Sequence, residues 1–168
     1  TVANVNVEES QRKIAAVLMR RALDFEVKLE KDFVWPKVAP PAQQQIKAAL
    51  LQTMSSDTTN NCKAVGNIVA TLACYLCDEE HGQGGWPELM PAIIHCWKSA
   101  HAKQRETGIN VLAQLCEPMK SVVTANQVDI APLLGKTLND EVAMVRASTV
   151  NLVCEMVESF EKSEWAPL

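Results

Sequence analysis

A displacement of 41 positions carries one stretch of this chain onto another, and that coincidence restricts the fold more than any other feature. The segment from Gln104 to Cys116 lands on Val145 to Val157. Arg105 falls on Arg146, Asn110 on Asn151, and Val111, Leu112 and Leu115 fall on Leu152, Val153 and Met156. Upstream, the same shift carries Leu89, Pro91 and Ile93 onto Ile130, Pro132 and Leu134. A shift that preserves both the apolar pattern and single polar residues marks an internal repeat. Repeats of about 40 residues built from two helices stack side by side into a solenoid.

Composition agrees with stacked helices. The chain is 48% hydrophobic but only 5% aromatic, with one Tyr, three Phe and six Gly, so Ala, Val, Leu, Ile and Met carry the core. The fold class expected is all-α, a right-handed α-α superhelix of the HEAT/armadillo type with about 3.5 helix pairs. A net charge of −4 and a pI near 5.4 argue against direct nucleic-acid binding. No apolar run reaches the roughly 18 residues of a membrane span, so no membrane insertion is expected, and the start lacks the shape of a secretory leader. The six cysteines (Cys62, Cys74, Cys77, Cys96, Cys116 and Cys154) are irregularly spaced and lie mostly in helical patterns, which reads as reduced packing. Cys74-x-x-Cys77 with His81 and His95-Cys96 can be drawn as a metal site, but the remaining ligands would need an unusual loop. Packing is the reading taken, and no metal or cofactor is expected.

In chain order, a helix is expected over 8–23, with Ile14, Val17, Leu18 and Leu23 and the small Ala15, Ala16 and Ala22 on its apolar side. Residues 24–41 read as connection. Helices follow over 42–54 and 59–77, the second with a stripe of Val65, Ile68, Val69, Leu72, Ala73 and Leu76. Trp86-Pro87 opens a helix ending near Trp97, and the helix from Gln104 stops near Pro118. Pairs at 126–138 and 144–160 complete the pattern. The organisation is thus one array over 1–168, with a lone second (B) helix at 8–23 and A/B pairs at 42–77, 86–117 and 126–160. Neither end has the polar character of a solenoid cap, so the chain is expected to be a stretch of a longer array. Asp140 and Arg146 have the spacing at which a turn Asp pairs with Arg of a neighbouring repeat. The other turns are read as lacking that Asp, which predicts a weak ladder of such pairs.

Aligning the B helices sets Val65, Gly108 and Thr149 at one position and Ile68, Val111 and Leu152 at the next. The residue before the latter is Asn67, Asn110 or Asn151, which at 100° per residue points away from the apolar stripe. One turn on stand Thr71, Gln114 and Glu155, and one turn back Lys63, Glu106 and Ala147. Lys13, Val17 and Arg21 match them in the first B helix, beside Arg20. Stacked polar residues of this kind make a long binding strip, and an Asn amide offers both donor and acceptor. Trp35, Trp86, Trp97 and Trp165 stand at helix ends, where an indole packs between repeats. No spacing suggests a nucleophile triad, a phosphate loop or paired catalytic carboxylates, so no catalytic residue is expected and the chain is not read as an enzyme.

The stretch Gln11-Arg12-Lys13-Ile14-Ala15-Ala16-Val17-Leu18-Met19-Arg20-Arg21 resembles the B helix of the first repeat in the importin-β (karyopherin-β) family of nuclear transport receptors. Trp86-Pro87-Glu88-Leu89 and Gln104-Arg105-Glu106 are similar to that family's third repeat. The resemblance spans nearly the whole chain and is nearest the larger receptors that carry ribosomal proteins and histones. It implies a non-enzymatic carrier that shuttles between cytoplasm and nucleus. Its N-terminal B helices would hold the GTPase Ran in the GTP form, and its outer grooves would take phenylalanine-glycine (FG) nucleoporins. By position, Lys13, Arg20, Arg21, Lys63, Asn67, Thr71, Glu106, Asn110, Gln114, Asn151 and Glu155 form the candidate Ran surface. Cys62 stands where the repeat expects Arg, and Val17 interrupts the Asn register. Two rivals share the fold: a static HEAT scaffold, and a tubulin-binding HEAT array that would use Trp97-Lys98 in a turn.

Overall fold

Val65, Ile68, Val69, Leu72, Ala73 and Leu76 recur at helical spacing, and in the computed structural model every one of them is buried along a single helix. The structure describes residues 2–4, 6–24, 33–77 and 85–160. Its helices are α1 (Glu9–Leu23), α2 (Pro40–Ser56), α3 (Asn61–Cys77), α4 (Leu89–Trp97), α5 (Ala102–Leu115), α6 (Lys120–Ala125), α7 (Gln127–Leu138) and α8 (Ala143–Ser159), with a 3-10 turn at Trp35–Lys37. No strand occurs among the described residues. The fold is an all-α solenoid.

The B helices α1, α3, α5 and α8 form one layer, each packed on the next, while α2, α4 and α7 form the second layer over α3, α5 and α8. Prolines set several helix starts. Pro40 and Pro41 occupy the first positions of α2, where a missing N–H costs nothing. Pro91 falls in the first turn of α4, whereas Pro132 lies inside α7. Fully buried Leu72, Leu89, Ile93, Ile109, Leu112, Leu115, Ile130 and Leu152 run through both layers as one core. Each such side chain contributes roughly 1.5–3 kcal/mol through burial. Gly108 is required where α4 meets α5, because a Cβ there would stand 2.9 Å from the Ile93 carbonyl oxygen and 3.0 Å from the Trp97 nitrogen.

Several expectations need correction. On α1 the side chains of Ile14, Val17 and Leu18 are exposed, and Arg12, Ala16 and Leu23 face inward instead. The reason is register: the neighbour of α1 is α3, and it covers the 12/16/23 edge. The described part of the 24–41 connection is not peripheral. Phe33 and Trp35 are buried, Phe33 meets Tyr75 edge to face at 4.6 Å, and the Trp35 carbonyl accepts a 2.9 Å bond from Gln43. The short helix α6 was not expected at all. His81, the 78–84 loop and the tail with Trp165 lie outside the described residues.

The ladder of ion pairs is also stronger than expected. Asp57 fills the turn position of Asp140: each carboxylate accepts the backbone N–H two residues on, and each pairs with the Arg of the preceding repeat. Arg12 reaches Asp57 at 2.7 Å and Arg105 reaches Asp140 at 2.8 Å, all four side chains being buried. Between these two rungs the pattern changes at both partners together. Cys62 replaces the Arg and Ser99 replaces the Asp, while Ser99 Oγ still accepts the His101 N–H. Cys62 is fully buried, with its sulfur 3.3 Å from Thr107 Oγ1.

Candidate partner-binding face

Residues four and seven apart lie on one side of a helix, so Asn110, Gln114 and Glu117 share a face of α5 and its C-terminal extension. Asn67 on α3 and Asn151 on α8 stand at the same register on the flanking B helices. The structure brings these positions together: Lys63, Asn67, Asn110, Gln114, Asn151 and Glu155 line one cleft of about 410 Å³, joined by Ala113, Glu117 and Pro118. Glu117 was missed because periodicity was read only to Cys116. Its place seven residues beyond Asn110 was the available signal.

Within the cleft the polar groups are only partly used. Gln114 Nε2 donates to the Asn110 carbonyl at 3.0 Å and to Asn67 Oδ1 at 3.5 Å, linking α5 to α3. The carboxamides of Asn110 and Asn151 have no hydrogen-bond partner among the described residues. Lys63 pairs with Glu106 at 2.9 Å, an exposed lysine against a largely covered carboxylate. An exposed pair of this kind is worth about 1 kcal/mol or less. Thr71 is turned back on its own helix, donating to the Asn67 carbonyl at 2.9 Å, and does not line the cleft.

The three basic candidates on α1 also lie outside the cleft. Lys13 pairs with Glu9 one turn earlier at 2.8 Å, and that bond holds the Glu9 carboxyl below its usual range. Arg20 and Arg21 are exposed at the C-terminal end of α1 and make no ion pair among the described residues. The strip therefore runs from free guanidinium groups on α1, through carboxamides on α3 and α5, to carboxylates on α5 and α8. Trp97 offers nothing to a partner at its turn: it is buried, and its indole N–H donates to Thr137 Oγ1 at 3.2 Å. Lys47 stacks over the buried Trp86 at 6.0 Å.

Thiol reactivity is suppressed at four of the six cysteines. Burial raises the thiols of Cys62, Cys77 and Cys96, and it pushes Cys116 up to about 12, aided by the negative charge of Glu155. Among the described residues no cluster of three or more His, Cys, Asp or Glu side chains could hold a metal ion.

Helix pairs repeating at 41–43 residues, with a polar cleft shared by α3, α5 and α8, define an α-solenoid of the HEAT type. A family model described as "IPO5-like, TPR repeats" matches residues 57–166, more than half of the chain. The chain belongs to the importin-β family. It is 28% identical over 129 residues to Importin-4 from Mus musculus, a match covering 77% of this chain and 11% of that protein. With Importin subunit beta-1 from Schizosaccharomyces pombe it shares 22% identity over 164 residues, covering 94% of this chain and 18% of that one. The chain thus spans less than a fifth of either relative. Crystal structures of Kap121p bound to Ste12p and to Pho4p superpose with TM-scores of 0.74 and 0.73 at 21% identity, covering 98% of this chain and 14% and 15% of theirs. That likeness concerns the fold.

Proposed function

We propose that this chain is part of a nuclear import receptor that binds Ran in its GTP form along the face of α1, α3, α5 and α8. The observation that carries this reading is the convergence of six strip residues on one cleft, with carboxamides left free for a partner. Lys13, Arg20, Arg21, Thr71 and Glu106 extend the same face along the B layer. The receptor acts by binding rather than by catalysis, and shuttles between cytoplasm and nucleus. It carries protein cargo, with ribosomal proteins or histones the class favoured by resemblance, and the outer grooves between α2, α4 and α7 take FG-nucleoporins. Because each repeat touches only its neighbours, small rotations add along a solenoid, so Ran and cargo can each favour a different pitch.

We also read the chain as a stretch of a longer array. Thr107 and Val111 of α5 pack toward Gly66 of α3. The matching positions of the first of these pairs on α1, Ile14 and Leu18, are exposed, as are Val150 and Val157 on the far side of α8. Inner helices cover such positions with a neighbour. To test the Ran surface, Asn67→Ala, Asn110→Ala and Gln114→Ala are combined in the full-length protein, and affinity for Ran loaded with a non-hydrolysable GTP analogue is measured. The reading expects a loss of about tenfold or more, the scale of a few hydrogen bonds of modest net strength. Unchanged affinity in a folded variant would remove this face from the Ran contact.

A further inference from the structure

Two thiols line a second cleft, one that the Ran reading does not use. Cys74 and Cys77, both half-buried and reduced, share this space of about 810 Å³ with Met119 and the α6 residues Val122, Thr124 and Ala125. Residues three apart on a helix are neighbours, and helical rise and radius put their Cα atoms ~5 Å apart. That lies inside the range of about 4.4–6.8 Å that disulfides span. The Cβ atoms are the obstacle. They stand about 5–6 Å apart in an intact turn, against the roughly 3.5–4.5 Å that a bridge needs. One of the two residues must therefore move by about 1–2 Å.

The end of α3 can supply that movement. Cys77 is its last residue, where a helix frays most readily, whereas Leu72, Ala73 and Tyr75 are buried and hold the preceding turn in the core. Cys77 also has a tie of its own. Its sulfur takes the backbone N–H of Trp86, and Gly85 just before it turns the chain through a φ of 72°, which favours glycine. Trp86 is buried beneath Lys47, and its carbonyl accepts the Leu89 N–H at the start of α4. The Cys77 sulfur thus joins the end of one helix pair to the beginning of the next.

We propose that Cys74 and Cys77 are a peroxide-sensitive dithiol, whose closure to a disulfide unwinds the last residue of α3 and releases the Trp86 backbone from its sulfur contact. The Cys74 sulfur takes one oxygen from hydrogen peroxide and becomes a sulfenic acid, with loss of water. The Cys77 thiol then attacks that sulfur, the S–S bond forms, and a second water leaves. In all, two thiols give up two electrons and two protons, and the peroxide is reduced to two waters. The order follows burial, which holds the Cys77 thiol up and leaves Cys74 to react first. To test this, the full-length protein is treated with hydrogen peroxide near neutral pH, unfolded, alkylated and mapped by fragment mass spectrometry. Cys74 and Cys77 should escape alkylation and together weigh two hydrogens less, while Cys96 is alkylated, and dithiothreitol should restore both thiols. In Cys77→Ser the same treatment leaves Cys74 as a sulfenic acid that dimedone traps, and in Cys74→Ser the Cys77 thiol survives. Hydrogen exchange at the Trp86 amide should quicken about tenfold or more in the oxidised wild type. Treated Cys77→Ser, which cannot form the bridge, should keep its untreated rate and so separates this effect from methionine oxidation. Retention of both thiols, sulfinic acids without a bridge, or a bridged protein whose Trp86 amide exchanges no faster would overturn the proposal.

Discussion

Removing one partner of the Arg105–Asp140 pair should cost far more than an ordinary surface substitution. Arg105 gives Nε and Nη2 to the two Asp140 oxygens, both at 2.8 Å, and Nη1 to the carbonyls of Ser99 and Ala100 at 3.1 and 2.8 Å. Both side chains are less than a tenth exposed. Breaking a buried pair by truncating one side costs about 3–5 kcal/mol, because the other charge is stranded. Arg105→Met leaves the carboxylate with little more than the Val142 N–H at 2.9 Å, so it falls at about 3–4 kcal/mol. Asp140→Asn leaves the guanidinium its two carbonyls and falls at about 2–3 kcal/mol. The double variant strands neither charge and should be less destabilised than the sum by at least about 1.5 kcal/mol. The assay is urea unfolding by circular dichroism, with tryptophan fluorescence as a second probe because Trp97 donates to Thr137 near the turn. The pH dependence follows from sign. The hydrogen bond from Arg105 holds the Asp140 carboxyl below its ordinary range. Its stabilisation is therefore complete above the usual Asp value of about 3.9 and fades as pH falls through the lowered one. That acid-side loss should shrink in Arg105→Met. Additivity of the two substitutions within about 0.5 kcal/mol would refute the reasoning.

Three further outcomes follow. Gly108→Ala should destabilise by about 1–3 kcal/mol, since its Cβ would press on α4 backbone rather than on a movable side chain, and a lowered melting temperature would show it. Lys63→Ala, at an exposed ion pair, should change unfolding free energy by less than about 1 kcal/mol; a larger loss would mean the pair is more than a surface contact. Maleimide at neutral pH should label exposed Cys154 well before buried Cys62, Cys96 and Cys116, as read by mass spectrometry. Equal rates at Cys116 and Cys154 would contradict the burial that raises the former thiol.

Much of the architecture was legible because the repeat preserves both stripe and polar landmarks. The α3 stripe could be read directly, and so could the register of Asn67, Asn110 and Asn151. What periodicity could not supply was the identity of the neighbour. On α1 it located apolar residues, but the edge that meets α3 is Arg12, Ala16 and Leu23 rather than Ile14 and Leu18. The Asp57 rung was missed for a related reason. A fixed shift of 41 carries Asp57 onto Lys98, whereas the structural match is Ser99, one residue further, so the repeat changes length inside a turn. There, side-chain hydrogen bonds outweigh the cost of burial: burial pushes the Asp57 carboxyl up, while Thr59, Asn61 and Arg12 hold it below its ordinary value. The helix α6 is only six residues long, too short for a helical period to stand out from its flanks.

The proposed Ran surface on the B-helix face is tested most directly by the affinity of the full-length protein for Ran in its two nucleotide states. Titration with Ran bearing a non-hydrolysable GTP analogue, and separately with Ran-GDP, is predicted to show a clear preference for the GTP form. That preference should decline when Asn67, Asn110 and Gln114 are replaced by Ala together. Equal affinity for the two forms, or no binding by a folded protein, would contradict the account and leave a static HEAT scaffold as the better description.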